Sequence, residues 1–307
     1  MLTVFLLLGI SIVVFAILYL APGDPFAVLL GGQLVSESER QAVLESLGLP
    51  STWYGQYLSW LGNMLQGDFG TSLRSGAPVA QEVITTGLNT LYLIVGAMLV
   101  TLSVAVPVAI YSVSRENSLS TWLLTMMTYV ISALPLFWLG YVLIYYFTKQ
   151  LEIFPVSTGS ALDDSINWLH LVLPVLLLGI GNGAVGEILR HLRMELHRVM
   201  TEEYVRTARA KGASVWRHAF SEGLLLPVTE MVAAKMPHLL GGAIIVEQIF
   251  NWPGLGRLAW QAALDRDYPV ILAVAVVAAA MVRMGSLLHR FVYISVNPRA
   301  SREIKQG

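Results

Sequence analysis

The 307-residue sequence contains no cysteine, which excludes disulfide bonds and thiolate metal sites. Charged residues are also scarce: they make up 13% of the chain, whereas soluble domains carry roughly 25%. Apolar residues account for 55%, so the composition is that of a membrane protein. The net charge of −1 argues neither for nor against nucleic acid, and we expect no nucleic-acid partner.

Signatures of nucleotide binding and hydrolysis are missing as well. No lysine follows a glycine, so there is no P-loop, and any ATP must be hydrolysed by another chain. Neither G-x-S-x-G nor H-E-x-x-H occurs, which disfavours an intramembrane protease. The six histidines do not cluster at ligand spacing. We therefore expect no catalytic residues, no metal site and no cofactor in this chain.

One glycine-rich stretch, residues 181–186, matches the dinucleotide pattern G-x-G-x-x-G. It lies inside an apolar span and not between a strand and a helix, which is the context that the dinucleotide interpretation requires. We interpret it as a site of close helix packing, in which Gly179 and Gly183 form a G-x-x-x-G pair.

Six apolar stretches are long enough to cross a membrane. They are predicted at about Leu2–Leu20, Leu88–Val113, Thr121–Phe147, Trp168–Leu189, Leu224–Ile249 and Tyr268–Val292. The first lacks the basic region of a cleaved signal peptide, so we interpret it as a retained helix. The predicted fold class is therefore an all-α polytopic membrane protein with six transmembrane helices.

The spans divide the chain into parts. We predict a first helix (1–20), a sizeable external segment (21–87), a five-helix core (88–296) containing a polar loop (190–223), and a tail (297–307). Ser36 and Glu39 fit a capping box, which predicts an amphipathic helix around Ser36–Leu47 within the external segment.

Basic residues set the orientation. With the 190–223 loop placed inside, twelve Lys and Arg residues lie at the inner side and five lie outside, as the positive-inside rule requires. The 21–87 segment carries six acids against two bases, which suits an external position. An even number of spans then places both termini in the cytoplasm.

A polar, basic, alanine-rich segment lies at 203–212, between two apolar spans. Its small residues would let a partner surface approach the backbone, and its basic residues can pair with acidic groups around a socket. The alternative is a solvated charged loop that only fixes topology. We favour a docking surface, whose candidate residues are Glu203, Tyr204, Arg206, Thr207, Ala208, Arg209, Ala210, Lys211 and Gly212.

Three charged residues, Glu230, Lys235 and Arg283, lie within predicted spans. Each costs about 2.5–3.5 kcal/mol on insertion scales unless a pair or a water-filled cavity reduces the penalty. A structural interpretation pairs Glu230 with Arg283 and lets Lys235 snorkel or meet a partner subunit. The functional interpretation is a charged translocation path, and the sequence leaves both open.

The 203–212 segment resembles the coupling loop, or EAA motif, of permeases in binding-protein-dependent ABC importers. The matching residues are those of the docking surface, followed by the basic His218. Five further motifs resemble the branch that includes dipeptide, oligopeptide, glutathione and nickel permeases. They are A-P-G-D-P at 21–25, G-D-F-G at 67–70, N-W-P-G-L-G-R at 251–257, R-D-Y-P-V at 266–270 and N-P-R at 297–299.

The resemblance implies a type I importer permease fold, built from a first helix and a five-helix core, in a bacterial inner membrane. It implies half of a translocation path for a peptide-like solute, a metal or a metal chelate. The implied partners are a second homologous permease, two ATPase subunits that hold ATP and Mg²⁺, and an external solute-binding protein. It further implies an external gate, formed by Trp252, Pro253, Gly254, Gly256 and Arg257.

A secondary transporter driven by an ion gradient is the alternative. Such a protein needs buried acids to carry ions, for which Glu187, Glu230 and Glu247 are candidates, but it does not need the basic coupling helix. Which solute is carried stays open, among dipeptides, longer peptides, glutathione, nickel and metal chelates.

Overall fold

A computed structural model describes residues 2–20, 50, 52–116, 118–155, 168–214 and 221–296. Within them the regular structure is helical, apart from one isolated β-bridge between Thr71 and Pro78. The α-helices are α1 Leu2–Leu20, α2 Trp53–Leu65, α3 Val79–Ser114, α4 Leu119–Ala133, α5 Leu136–Leu143, α6 Leu169–Gly181, α7 Ala184–Thr201, α8 Glu203–Ala210, α9 Leu226–Ile249, α10 Leu255–Asp265 and α11 Tyr268–Val296. There are also two π-helical segments: Ile144–Gln150 follows α5, and Ser221–Leu225 precedes α9.

Three helices in the described part of the chain, α1, α3 and α11, are each long and apolar enough to cross a membrane. The number rises to five if each of two bent helix pairs counts as one span. The fifth predicted span corresponds to α9, which is long enough but contains Glu230, Lys235 and Glu247. The described part of the chain is thus helical, with helices suited to a membrane, while six spans stay a prediction.

The third and fourth predicted spans are not straight helices. Thr121–Phe147 is broken between α4 and α5, with a 97° bend, because Pro135 holds the preceding Leu134 in extended backbone that cannot continue a helix. Trp168–Leu189 is broken between α6 and α7, with a 50° bend, where Gly183 adopts a left-handed conformation at φ +72°. Neither of these two bends was predicted.

Helix boundaries also differ from the prediction. α3 begins at Val79, nine residues before the predicted Leu88, and α7 continues to Thr201 through the first part of the predicted 190–223 loop. The predicted helix at Ser36–Leu47, the motifs at 21–25 and 297–299 and His218 all lie outside the described residues.

The described residues form two compact units. The first contains the residues up to Thr90 together with those of Pro253–Met281, and the second contains the rest. In the first unit, α1 contacts α2, and the Ser11 hydroxyl lies 2.9 Å from the Tyr57 hydroxyl in a buried hydrogen bond.

Close packing of α3 on α6 characterises the second unit. A Cβ at Gly179 would lie 2.7 Å from the Ala97 carbonyl oxygen, so only glycine fits there. The Thr101 hydroxyl, 2.7 Å from the Gly179 carbonyl oxygen, donates to it at the same contact. The predicted packing role is therefore confirmed for Gly179, whereas Gly183 breaks the helix and does not serve a close approach.

Candidate coupling surface and buried charges

The predicted docking segment forms α8, a two-turn helix that begins after Glu202 and ends at Ala210. Its apolar side faces this chain, because Val205 is completely buried and packs with Val199 and Met200 at the end of α7. α8 is therefore attached to α7 through an apolar contact, and its other side is left for solvent or a partner.

Eight of the nine candidate docking residues are exposed. They are Glu203, Tyr204, Arg206, Thr207, Arg209, Ala210, Lys211 and Gly212. Ala208 is the exception: it is only 7% exposed and belongs to the side that packs on the chain itself. The prediction that Ala208 lies on the docking face is wrong, since positions 205 and 208 are one helical turn apart and share the buried side.

Gly212 has a structural explanation of its own. Its φ is +69°, and the Ala213 amide donates to the Ala208 carbonyl while the Gly212 amide donates to the Arg209 carbonyl. These two bonds form a Schellman cap, which requires the left-handed conformation that glycine adopts most readily. A Cβ on Gly212 would meet no atom within 4 Å, so the backbone conformation and not local crowding favours glycine.

Lys235 of α9 forms an ion pair with Glu187 in the first turn of α7. The Lys235 side chain is 13% exposed and that of Glu187 is 43% exposed. Glu230 is exposed, and no Glu230–Arg283 ion pair occurs among the described residues. The structural interpretation thus chose the wrong pair, because Glu187 lies beyond the α6–α7 bend, which the sequence prediction did not include.

A second contact joins the same two regions. The Asn182 side-chain amide donates to the His238 carbonyl at 3.4 Å, and His238 Nε2 lies 3.1 Å from the Asn182 carbonyl oxygen. A Cβ at Gly242 would lie 2.8 Å from Asn182 Nδ2. Sequence reasoning missed Asn182 and His238, although an asparagine between two glycines inside an apolar span was a usable signal.

The predicted gate motif closes α9 and begins α10. Asn251 has φ +54°, and the Trp252 amide donates to the Glu247 carbonyl in a second Schellman cap. Within the first unit, the Pro253 carbonyl accepts from Asn89 Nδ2 at 2.8 Å. The Leu255 amide, at the start of α10, donates to the Thr90 hydroxyl at 2.7 Å.

Side chains of this motif are largely withdrawn from solvent. Trp252, Gly254 and Gly256 are buried, and Pro253 and Arg257 are half-buried. The motif therefore provides helix ends and packing. A gating role for these residues stays a prediction.

The three acids of the secondary-transporter alternative are in different surroundings. Glu187 is paired with Lys235, Glu230 is exposed and Glu247 is completely buried. They do not form one cluster of acids among the described residues.

Two family models together match nearly the whole chain. The model described as "Binding-protein-dependent transport system inner membrane component" matches residues 105–302. The model described as "Binding-prot-dependent transport system membrane comp, N-term" matches residues 1–105.

Curated relatives align along most of their length. The oligopeptide transport system permease protein AppB of Bacillus subtilis is 38% identical over 302 residues, covering 96% of this chain and 95% of the relative. The dipeptide transport system permease protein DppB of Escherichia coli K12 is 32% identical, covering 95% and 94%. The glutathione transport system permease protein GsiC of Escherichia coli O1:K1 is 35% identical, covering 94% and 92%.

Proposed function

Because this chain belongs to the family of inner membrane components of binding-protein-dependent transport systems, and is a transmembrane permease of an ATP-driven importer, we propose that its solute is a peptide. The observation that carries the proposal is the end-to-end similarity to three permeases named for oligopeptides, dipeptides and glutathione, which are all peptides. Nickel and metal chelates are less favoured, since none of these three names contains a metal.

The importer is proposed to be a complex. This chain forms half of the translocation path, and a second homologous permease forms the other half. Two ATPase subunits hold ATP and Mg²⁺, and an external binding protein delivers the solute. The absence of a Gly-Lys pair in the sequence supports a division of labour in which this chain is not catalytic.

In the proposed arrangement six spans cross the bacterial inner membrane. Each bent pair, α4–α5 and α6–α7, counts as one span, and α9 is the span whose charged residues lower its apolar character. Both termini and the 190–223 loop are cytoplasmic, while the 21–87 segment is external. The twelve-to-five distribution of Lys and Arg supports this orientation.

Coupling is proposed to run from α8 to α9 through α7. The exposed side of α8 docks on an ATPase subunit, and its buried Val205 packs against Val199 of α7. α7 is in turn tied to α9 by the Glu187–Lys235 ion pair. A displacement of α8 on ATP binding would therefore move α7, and with it the part of α9 that contains Lys235.

For the translocation path we propose Glu230, Lys235 and Arg283, of which Lys235 has the clearest role. A peptide carboxylate can compete with Glu187 for the Lys235 ammonium, because Glu187 is partly exposed and solvent weakens the pair. Such competition gives weak, transient binding, which transport requires. We also propose that residues 252–257 form part of an external gate.

Transport by the reconstituted complex tests this function. Proteoliposomes containing this permease and its partners would be supplied with loaded binding protein and a labelled dipeptide, pentapeptide, glutathione or Ni²⁺. Peptide uptake that requires ATP is expected, and a complex with hydrolysis-deficient ATPase subunits is the control. Uptake driven by a proton or sodium gradient without ATP would favour the secondary transporter, and uptake of Ni²⁺ alone would overturn the peptide assignment.

A further inference from the structure

One face of α7 presents three basic residues toward α4 and the turn that precedes it. Arg190, Arg193 and His197 occur at the spacing i, i+3, i+7, which places them on one side of the helix. The Arg190 guanidinium lies over the Tyr129 ring, 5.6 Å from its centre. His197 Nδ1 lies 2.8 Å from a carboxylate oxygen of Glu116. The two outer residues are thus matched by groups across from them.

Arg193, between them, faces a cavity. The half-buried side chain lines an open cavity of about 510 Å³ with Ser118, Leu119, Thr121, Trp122 and Thr125. Within the part of the chain that the structure describes, no carboxylate or carbonyl pairs with the Arg193 guanidinium. A guanidinium carries five N–H donors and a permanent positive charge. The cavity therefore contains a cation that has no counter-charge among the described residues.

The hydroxyl groups that line the cavity are not free to donate a hydrogen bond to an anion. Thr121 donates to the Arg115 carbonyl, Thr125 donates to the Thr121 carbonyl, and Ser118 donates to the Thr121 hydroxyl. Their protons are already used within α4 and its cap. Arg193 is therefore the group that would contact an anion in the cavity.

The remaining wall is apolar and open. Leu119 is 73% exposed and Trp122 is 58% exposed, both in the first turn of α4. Tryptophan is enriched where the membrane meets water, and basic pockets between transmembrane helices on the cytoplasmic side bind anionic head groups. A ligand that has both an anion and an apolar part would satisfy Arg193 and cover these two side chains.

We propose that this cavity binds an anionic phospholipid of the cytoplasmic leaflet, with its phosphate on Arg193 and its acyl chains over Leu119 and Trp122. The proposal rests on the membrane orientation given above, which places Arg193 at the inner rim. A free phosphate or an acidic side chain of a partner would neutralise the charge of Arg193 but leave Leu119 and Trp122 exposed. A lipid is therefore the occupant that the cavity favours.

Lipid binding to the purified, delipidated importer complex tests the proposal. Phosphatidylglycerol and phosphatidylcholine would be titrated separately, and bound lipid counted by native mass spectrometry. We expect preferential binding of phosphatidylglycerol, weakened about fivefold by Arg193→Gln and less by Arg193→Lys. Arg198→Gln is the matched control, because Arg198 is an exposed arginine of the same helix that pairs with Glu195, and it should leave binding unchanged.

A second variant separates a lipid from a free anion. Trp122→Ser should weaken phosphatidylglycerol but not glycerophosphoglycerol, which has the head group without acyl chains. It also replaces Arg193→Gln if that variant fails to assemble. Equal binding of phosphatidylglycerol by wild type, Arg193→Gln and Trp122→Ser would overturn the proposal. So would binding of the head group as tightly as the whole lipid.

A protein occupant gives a different result. If Arg193→Gln lowered ATPase activity equally in phosphatidylcholine and phosphatidylglycerol nanodiscs, the occupant would be an acidic group of a partner, and the lipid proposal would fail. ATP-dependent peptide uptake by wild type in phosphatidylcholine membranes is measured separately. Loss of that uptake bears on the proposed function and not on this site.

Discussion

The ion pair between Lys235 and Glu187 joins the middle of α9 to the first turn of α7, immediately after the bend at Gly183. Lys235 is mostly buried in a helix where insertion penalises a charge, so the pair explains how it is accommodated. The ion pair also fixes the start of α7, next to the bend between α6 and α7, to Lys235 on α9. The position of the bend and the charge of α9 are therefore linked.

Removing one partner of this pair should harm the protein more than removing both. Glu187→Gln leaves Lys235 mostly buried without a counter-charge, whereas Glu187→Gln with Lys235→Met leaves no charge to compensate. We expect a lower Tm for Glu187→Gln, partly restored in the double variant, measured by thermal unfolding of the purified complex. Glu230→Gln, at an exposed acid of the same helix as Lys235, is the control. Strictly additive losses in the double-mutant cycle would show that the two residues do not interact.

The exposed side of α8 should tolerate no bulky residue if it docks on an ATPase subunit. Ala210→Trp, at an exposed position, is expected to abolish stimulation of ATPase activity by the loaded binding protein while the permease still inserts in the membrane. Ala208→Trp is not a suitable test, because Ala208 is buried and the variant would disturb packing on α7.

The control for Ala210→Trp is Ser103→Trp, at an exposed position on α3 far along the chain from α8. It adds the same bulk without touching the proposed docking surface. Normal stimulation in both variants would refute the docking role of α8.

Gly212 should be replaceable by asparagine but not by valine. Its φ of +69° is accessible to asparagine, whereas a β-branched residue is strongly disfavoured there. Left-handed backbone costs roughly 1–2 kcal/mol for an ordinary L-residue, which is enough to unwind the end of a two-turn helix. ATP-dependent uptake should therefore be near normal in Gly212→Asn and low in Gly212→Val. Equal activity of the two variants would mean that the cap is unimportant for coupling.

Local patterns were sufficient to predict most of the helices. Residues near one another in the chain determine the helical pattern of α8 and the apolar runs of α1, α3 and α11. The close contact at Gly179 depends on the small size of glycine, which is also visible in the sequence. The coupling helix implied at 203–212 is present as α8, and the structure shows the hydrogen bonds of the cap in which Gly212 follows it.

Pairings between distant residues could not be predicted in the same way. Glu187 meets Lys235 only because the helix bends at Gly183, and a bend changes which side chains lie at equal depth. The sequence interpretation did not include this bend, so it paired Glu230 with Arg283 and did not consider Glu187 as the partner of Lys235. Ala208 was misplaced for a related reason: composition does not say which side of a short helix packs on its own chain.

Asp267, in the R-D-Y-P-V motif, contacts the segment that follows G-D-F-G in the first unit, and its removal should destabilise that unit. It is 3% exposed and accepts hydrogen bonds from the Ser72 hydroxyl at 2.5 Å and the Arg74 amide at 3.3 Å. Asp267→Ala would leave both donors without this acceptor, at a cost of about 1–3 kcal/mol. Asp267→Asn keeps one acceptor oxygen and should retain more of the stability. Thermal unfolding of both variants provides the measurement, and equal Tm values for wild type and Asp267→Ala would contradict this role.

The orientation of the chain can be tested directly because it contains no cysteine to label in the background. Gln66→Cys, in the 21–87 segment, should react with an impermeant thiol reagent added outside intact cells. Ser214→Cys, just after α8, should react only when the reagent reaches the cytoplasmic side, as in inverted vesicles. Both positions are exposed, so a difference between them reports sidedness and not burial. Labelling of Ser214→Cys from outside would reverse the orientation. It would also contradict the proposed docking of α8 on the ATPase subunits and the proposed position of Arg193 in the cytoplasmic leaflet. Both proposals require these residues to lie on the cytoplasmic side of the membrane.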